Sequence, residues 1–161
     1  TAMDRFARER VHVGAWMRAH LPASTWLAVG AAGALPYASG LPVVDVYGLV
    51  DPWPSRVPSL RPTAKGRPGH QLMAPQAELR VRDPDLLCHV GHVGPRVPPQ
   101  ASAASRGFGP GYRWACVAPG AVADEREASG VLDLGYYCCL RPPSRVVGPF
   151  RDAAGPTGGA P

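Results

Sequence analysis

"STWLAVGAAGALPYASGLPVVDVYGLVD", Ser24–Asp51, decides the fold. Its two apolar runs, "WLAVG" and "VVDVYG", are each bounded by Gly or Pro, and no charge appears before Asp45. Uncharged runs this short read as strands buried on both faces, the kind that parallel and mixed sheets use. The spacing between them reads as a turn, which gives two adjoining buried strands. The uncharged segment from Leu21 to Val44 has enough residues to cross a bilayer, but Pro22, Pro36, Pro42 and its glycines break it into pieces, which disfavours a membrane span.

Working outward, Met3, Phe6, Val13, Trp16 and Met17 recur at helical spacing, with Asp4 and Arg8 as an i,i+4 pair on another face. A helix over Met3–His20 that stops at "HLP" follows. Beyond Asp51, Pro52, Pro54, Pro58, Pro62 and Pro68 exclude a long helix and leave an ordered loop with at most a turn near Ser55–Leu60. "QAELRVRDPD" holds a short helix or an extended segment. "DLLCHVG" is a third strand, introduced by the Asp83-Pro84-Asp85 turn. The Pro-, Ser-, Ala- and Gly-rich stretch Gly94–Gly111 reads as a flexible connection, and "YRWACVA" and "LGYYCCL" as two further strands. The polar "DEREAS" between them fits a short helix or a hairpin tip. The expectation is a single α/β domain over 1–150, a mixed β-sheet with flanking helices and long Pro/Gly-rich loops, followed by a disordered tail over 151–161.

The 161 residues suit one core, and 20 Pro with 19 Gly explain the expected loops. The formal charge of +5 raises nucleic acid as a partner, yet the basic residues are scattered and no basic run interleaves with aromatics, so no nucleic-acid partner is expected. Lys65 is the only lysine and Ile and Asn are absent, so much of the basic excess reflects a GC-rich codon bias. Of the four cysteines, the adjacent Cys138 and Cys139 point to opposite faces of a strand, and at most one of them is expected to meet Cys88 or Cys116. No CxxC pair suggests zinc, and "HVGH", His89–His92, lacks an evident third ligand; neither a metal nor a cofactor is expected.

The acids that end the opening stretch have two readings. Asp51, just before Pro52, suits a helix cap, and Asp45 suits an acceptor for backbone amides of the Tyr47-Gly48 turn. Alternatively both join His70 in a polar cleft at the carboxyl edge of the sheet, the usual ligand position in α/β folds. A Ser- or Cys-based triad has no elbow motif to support it.

"GALPYASGLPVVDVYGLVD", then "GRPGH", then "RVRDPDLL", resembles the soluble C-terminal domain of polytopic GT-C-type membrane glycosyltransferases, the bacterial arabinofuranosyltransferase-like and protein-mannosyltransferase-like proteins. The likeness spans about Val11–Val90, and its matching positions are Tyr37, Asp45, Gly48, Asp51, Gly69, His70, Pro84 and Asp85. Relatives often place an acidic residue and Lys after Gly-His, where this chain has Gln71 and Leu72. The resemblance implies transmembrane helices and a catalytic acid upstream, a lipid-linked sugar donor, and an extracytoplasmic, membrane-attached setting. It makes this chain a non-catalytic module, without catalytic residues of its own, that positions a glycan or protein acceptor. Tyr37, Asp45, Asp51, Trp53 and His70 are then substrate-binding or loop-anchoring residues: carboxylates for sugar hydroxyls, Tyr37 or Trp53 for stacking. A stand-alone sugar-active enzyme using Asp45, Asp51 and His70, and a purely structural interaction domain, are the other readings.

Overall fold

The computed structural model describes residues 2–30, 32–51, 53–57, 72–104, 106–117, 136–143, 145 and 147–152. Their order is α1 (Ala2–His20), β1 (Leu27–Val29), α2 (Ala34–Ser39), β2 (Val43–Asp45), a 3-10 turn (Trp53–Arg56), α3 (Gln76–Arg82), β3 (Leu86–Gly94), α4 (Ala101–Ala104), β4 (Arg113–Val117), β5 (Tyr136–Arg141) and β6 (Arg151–Asp152). The strands form one mixed sheet in the order β2-β1-β3-β5-β4-β6. This is the α/β architecture that the alternation of helical and apolar runs predicts.

β1 pairs parallel with β2, Leu27 against Val43, and parallel with β3, Leu27 against Leu86. Parallel neighbours cannot be joined by a tight turn, because the chain must return to the starting edge. Hence the turn expected between the first two strands is instead the helix α2. Pro36 is tolerated there because it lies in the first turn, where no intrahelical amide is required. Gly40, at φ +63°, closes the helix with its amide on the Pro36 carbonyl at 2.9 Å. Arg18 of α1 donates to the carbonyls of Ser39 and Tyr37, at 3.3 Å each. The two helices approach closely at Gly14, where a Cβ would come within 2.7 Å of the Ala38 methyl.

Alternation along each strand divides the core into two layers. Val13, Trp16 and Met17 of α1 and Leu35 of α2 cover Leu27, Val29, Leu86, Ala115, Tyr137 and Cys139 on one face. Trp53, Leu79, Ala103 and Phe108 cover Ala28, Val44, Leu87, Trp114, Cys138 and Leu140 on the other. The crossovers from β1 to β2 and from β2 back to β3 therefore run over opposite faces, a doubly wound arrangement in which the chain reverses direction at β1.

β5 lies between β3 and β4, antiparallel to both. This position corrects the reading of the cysteines. Cys138 and Cys139 do point to opposite faces, but β5 has a neighbour on each side, so each thiol finds its own partner: Cys139 bonds Cys88 of β3, and Cys138 bonds Cys116 of β4. The connection over Gly94–Gly111 is also more ordered than its composition suggests. The Gln100 side chain accepts from the Trp114 amide at 2.9 Å and donates to the Trp114 carbonyl at 3.0 Å, imitating a strand partner for β4, and the Trp114 indole donates to Ser102 at 2.9 Å. The first two residues of the expected tail form β6 against β4. Residues 153–161 and the "DEREAS" segment lie outside the described residues.

Candidate ligand pocket at the carboxyl edge of the sheet

The opening motif folds into a self-contained anchor. Asp45 ends β2 with its side chain fully buried, its Oδ1 accepting from the Tyr47 amide at 3.0 Å and its Oδ2 from the Val50 amide at 2.7 Å. The turn is tight enough to need Gly48 at φ +70°, a region where a side chain is strained. Asp51 Oδ1 accepts from the Trp53 amide at 3.1 Å, and the Trp53 indole donates to the Asp45 carbonyl at 3.1 Å. Apolar β2 therefore ends in two acids because the chain turns sharply away from a buried strand, and the amides that leave the sheet ladder find their acceptors in these carboxylates.

This geometry separates the two roles that the sequence left open for these residues. Asp45 has no exposed surface and both carboxylate oxygens engaged, so it anchors the loop and has no face for a sugar hydroxyl. Trp53 is buried beneath the Arg82 guanidinium, 4.0 Å above its ring, so it is a core residue and does not stack on a ligand. Tyr37 is 87% exposed on α2 and joins none of these bonds. His70, the third member of the expected trio with Asp45 and Asp51, lies outside the described residues. Asp85 also serves the fold: its carboxylate accepts from the Trp26 amide at 2.8 Å, fixing where β3 enters beside β1.

A cavity of about 210 Å³ does open at the carboxyl ends of the parallel strands, lined by Phe6, Arg10, Val29, Gly30, Leu35, Tyr47, Cys88, His89, Gly91 and Tyr137. Each lining residue arrives by a distinct device. Gly30 follows β1, and because it lacks a side chain the Tyr47 ring lies across it; a Cβ there would come within 2.8 Å of that ring. α1 runs into β1, so its first turns reach the same edge, with the Arg10 guanidinium 3.5 Å from the centroid of Phe6. Tyr137 comes from β5, where burial pushes its phenol up to about 12 despite the opposing influence of Arg10.

His89 is placed by an irregularity in β3. Leu87 pairs with Leu140 and His92 with Cys138, so five steps along β3 match only two along β5, and the intervening residues bulge. Gly91 sits in the bulge with backbone on both sides; a Cβ would lie 2.9 Å from the Cys88 carbonyl oxygen and 3.0 Å from that of Cys138. Bulges redirect side chains and terminate regular pairing. Here the imidazole is turned edge-on to Phe108, centroids 5.7 Å apart, with both ring nitrogens sealed from solvent. Burial lowers its pKa to about 4, a backbone interaction at Ala28 opposing the shift, so the ring is neutral at physiological pH.

The "HVGH" pair does not converge, since His92 Nε2 meets the Arg96 carbonyl at 3.1 Å while His89 packs on Phe108. No group of three His, Cys, Asp or Glu side chains among the described residues is placed to hold a metal ion. Sequence reasoning pointed to the carboxyl edge of the sheet, but to other residues than those that line this cavity. The one signal for His89 was a titratable side chain in the middle of an apolar strand, whereas nothing local marks Arg10, Tyr47 or Tyr137.

Fold and pocket together define a doubly wound α/β domain with a small polar cavity where its strand order reverses. Residues 3–128 match the family described as a domain of unknown function, DUF8728, and the chain belongs to that family. The match includes β1 to β4 and every element that lines the cavity except β5. No curated protein and no solved structure matches the chain.

Proposed function

We propose that this chain is the non-catalytic, extracytoplasmic C-terminal domain of a polytopic GT-C-type membrane glycosyltransferase, and that it positions a glycan or protein acceptor for a lipid-linked sugar donor. The observation that carries this reading is the joint behaviour of the resembling positions. Asp45, Gly48 and Asp51 form one closed turn that rims the carboxyl edge beside the cavity, and Asp85 fixes β3, which supplies His89. In this reading the motif is the frame of a binding edge, which accounts for acids whose oxygens are already occupied. The two disulfides support an oxidising compartment, where such bonds persist. No helix among the described residues is long and apolar enough to cross a membrane, so attachment would come from another part of the polypeptide. Direct catalysis by Asp45 is disfavoured because its carboxylate is fully buried and holds two backbone amides of the turn.

The test is the reading frame preceding Thr1. Several apolar spans of about 20 residues there, with an acid in the first extracytoplasmic loop, are the expected result. A frame without such spans overturns the proposal.

A further inference from the structure

The two disulfides that tie β5 to its neighbours have unequal surroundings. Cys116–Cys138 lies on the face covered by Trp53 and Phe108, and both of its cysteines are buried. Cys88–Cys139 lies on the opposite face, beneath α1. Cys139 is fully buried there, whereas Cys88 is only half-buried. Cys88 also lines the carboxyl-edge cavity together with Val29, Leu35 and Tyr137, which belong to the same layer of the core. Its position explains the difference: it follows Leu87, the last regular pair with β5 before the bulge, so the sheet loosens beside its sulfur.

One further side chain gives the cavity a sign. Arg10 is the charged residue in its wall, and its influence reaches the phenol of Tyr137 across the space. The guanidinium lies 3.5 Å from the Phe6 ring centroid, and 3.8 Å from the Glu9 carboxylate, too long for a hydrogen bond, so N–H donors of its fork remain for an incoming anion.

We infer that Cys88 is a site of reversible thiolation by a small thiol that carries a carboxylate, with Arg10 holding the carboxylate while the sulfur reacts. The thiolate of the reagent attacks Cys88 Sγ. The Cys88–Cys139 bond breaks as a bond from Cys88 to the incoming sulfur forms, and the electron pair leaves on Cys139 Sγ, which takes up a proton from solvent. One disulfide replaces another, so no separate oxidant or reductant is consumed. Attack by Cys139 on the adduct reverses the exchange, but a thiol buried in apolar surroundings is a weak attacker, and the adduct persists. At about 210 Å³ the cavity falls below drug-sized pockets and suits a thiol of a few heavy atoms. The site goes beyond the glycosyltransferase reading and stands without it.

The experiment exposes the oxidised 161-residue chain to 3-mercaptopropionate, 2-mercaptoethanol or cysteamine at pH 7.5, traps free thiols with a maleimide, and locates adducts by peptide mass spectrometry. The expected product carries one 3-mercaptopropionate on Cys88 and one maleimide on Cys139, with Cys116–Cys138 intact. Comparing each thiol between wild type and variant cancels its intrinsic reactivity. Arg10→Gln should slow the reaction of 3-mercaptopropionate about threefold, the scale of a part-exposed ion pair with Glu9 close by, and leave 2-mercaptoethanol unchanged. Arg10→Lys should keep most of the wild-type rate, and melting temperatures report folding of both variants. In the wild type alone, added sodium chloride should slow the anionic thiol relative to the neutral one. Opening of Cys116–Cys138 first, an adduct on Cys139, or reaction only as fast as global unfolding would overturn the site. Equal slowing of all three thiols by Arg10→Gln, or rates insensitive to salt, would overturn the role of Arg10.

Discussion

Lowering the pH should destabilise this protein through one residue. His89 has a pKa near 4 in the fold, because burial penalises its charged form, against about 6.5 in an unfolded chain. The unfolded state therefore binds the proton more readily over the interval between these values. Stability is unaffected by this group above about pH 6.5, declines as the pH falls, and levels off below about pH 4. With about 1.36 kcal/mol per pKa unit, the full decline is roughly 3 kcal/mol, about 2 kcal/mol of it already reached at pH 5. Urea unfolding of the wild type and of His89→Phe at pH 7.5, 6 and 5 isolates the contribution, since titration of all other groups cancels in the difference. The variant should be less sensitive to acid by about 2 kcal/mol at pH 5. Parallel stability curves for the two proteins would show that the imidazole is not held dry.

Further outcomes follow from the anchor, the bulge and the disulfides. Asp45→Ala strips the half-buried Tyr47 and Val50 amides of their acceptor, and should cost about 1–3 kcal/mol in denaturant unfolding; a loss below 0.5 kcal/mol would mean that water replaces the carboxylate at the turn. Gly91→Ala forces a methyl against two carbonyl oxygens at 2.9 and 3.0 Å, so a penalty of about 1–3 kcal/mol in urea unfolding is expected. Peptide mapping under non-reducing conditions should recover Cys88–Cys139 and Cys116–Cys138 with no free thiol. The loops that these bonds close, with separations of 51 and 22 residues, predict losses on reduction of about 4 and about 3 kcal/mol in the loop-entropy picture. Detection of a Cys88–Cys116 pairing would refute the position of β5 between β3 and β4.

How much of this was legible in the residues depends on how local each cause is. The helix ending at "HLP", the strands around Leu27, Val43, Leu86, Trp114 and Cys138, and the α/β class follow from periodicity and Pro/Gly punctuation, which act within a few residues. The amide-accepting role of Asp45 and the capping role of Asp51 were also open to a sequence reading, since all three bonds close within five residues. The tertiary structure alone decided that β1 and β2 run parallel, which converts a supposed turn into α2. It alone placed β5 between two cysteine-bearing strands, so that adjacent thiols form separate bridges, and it alone gathered Arg10, Tyr47, His89 and Tyr137 around one cavity. Those outcomes depend on strand order and on a bulge, properties of pairing between segments tens of residues apart; the sequence specifies which faces must be buried, and only the closed sheet settles which neighbours bury them.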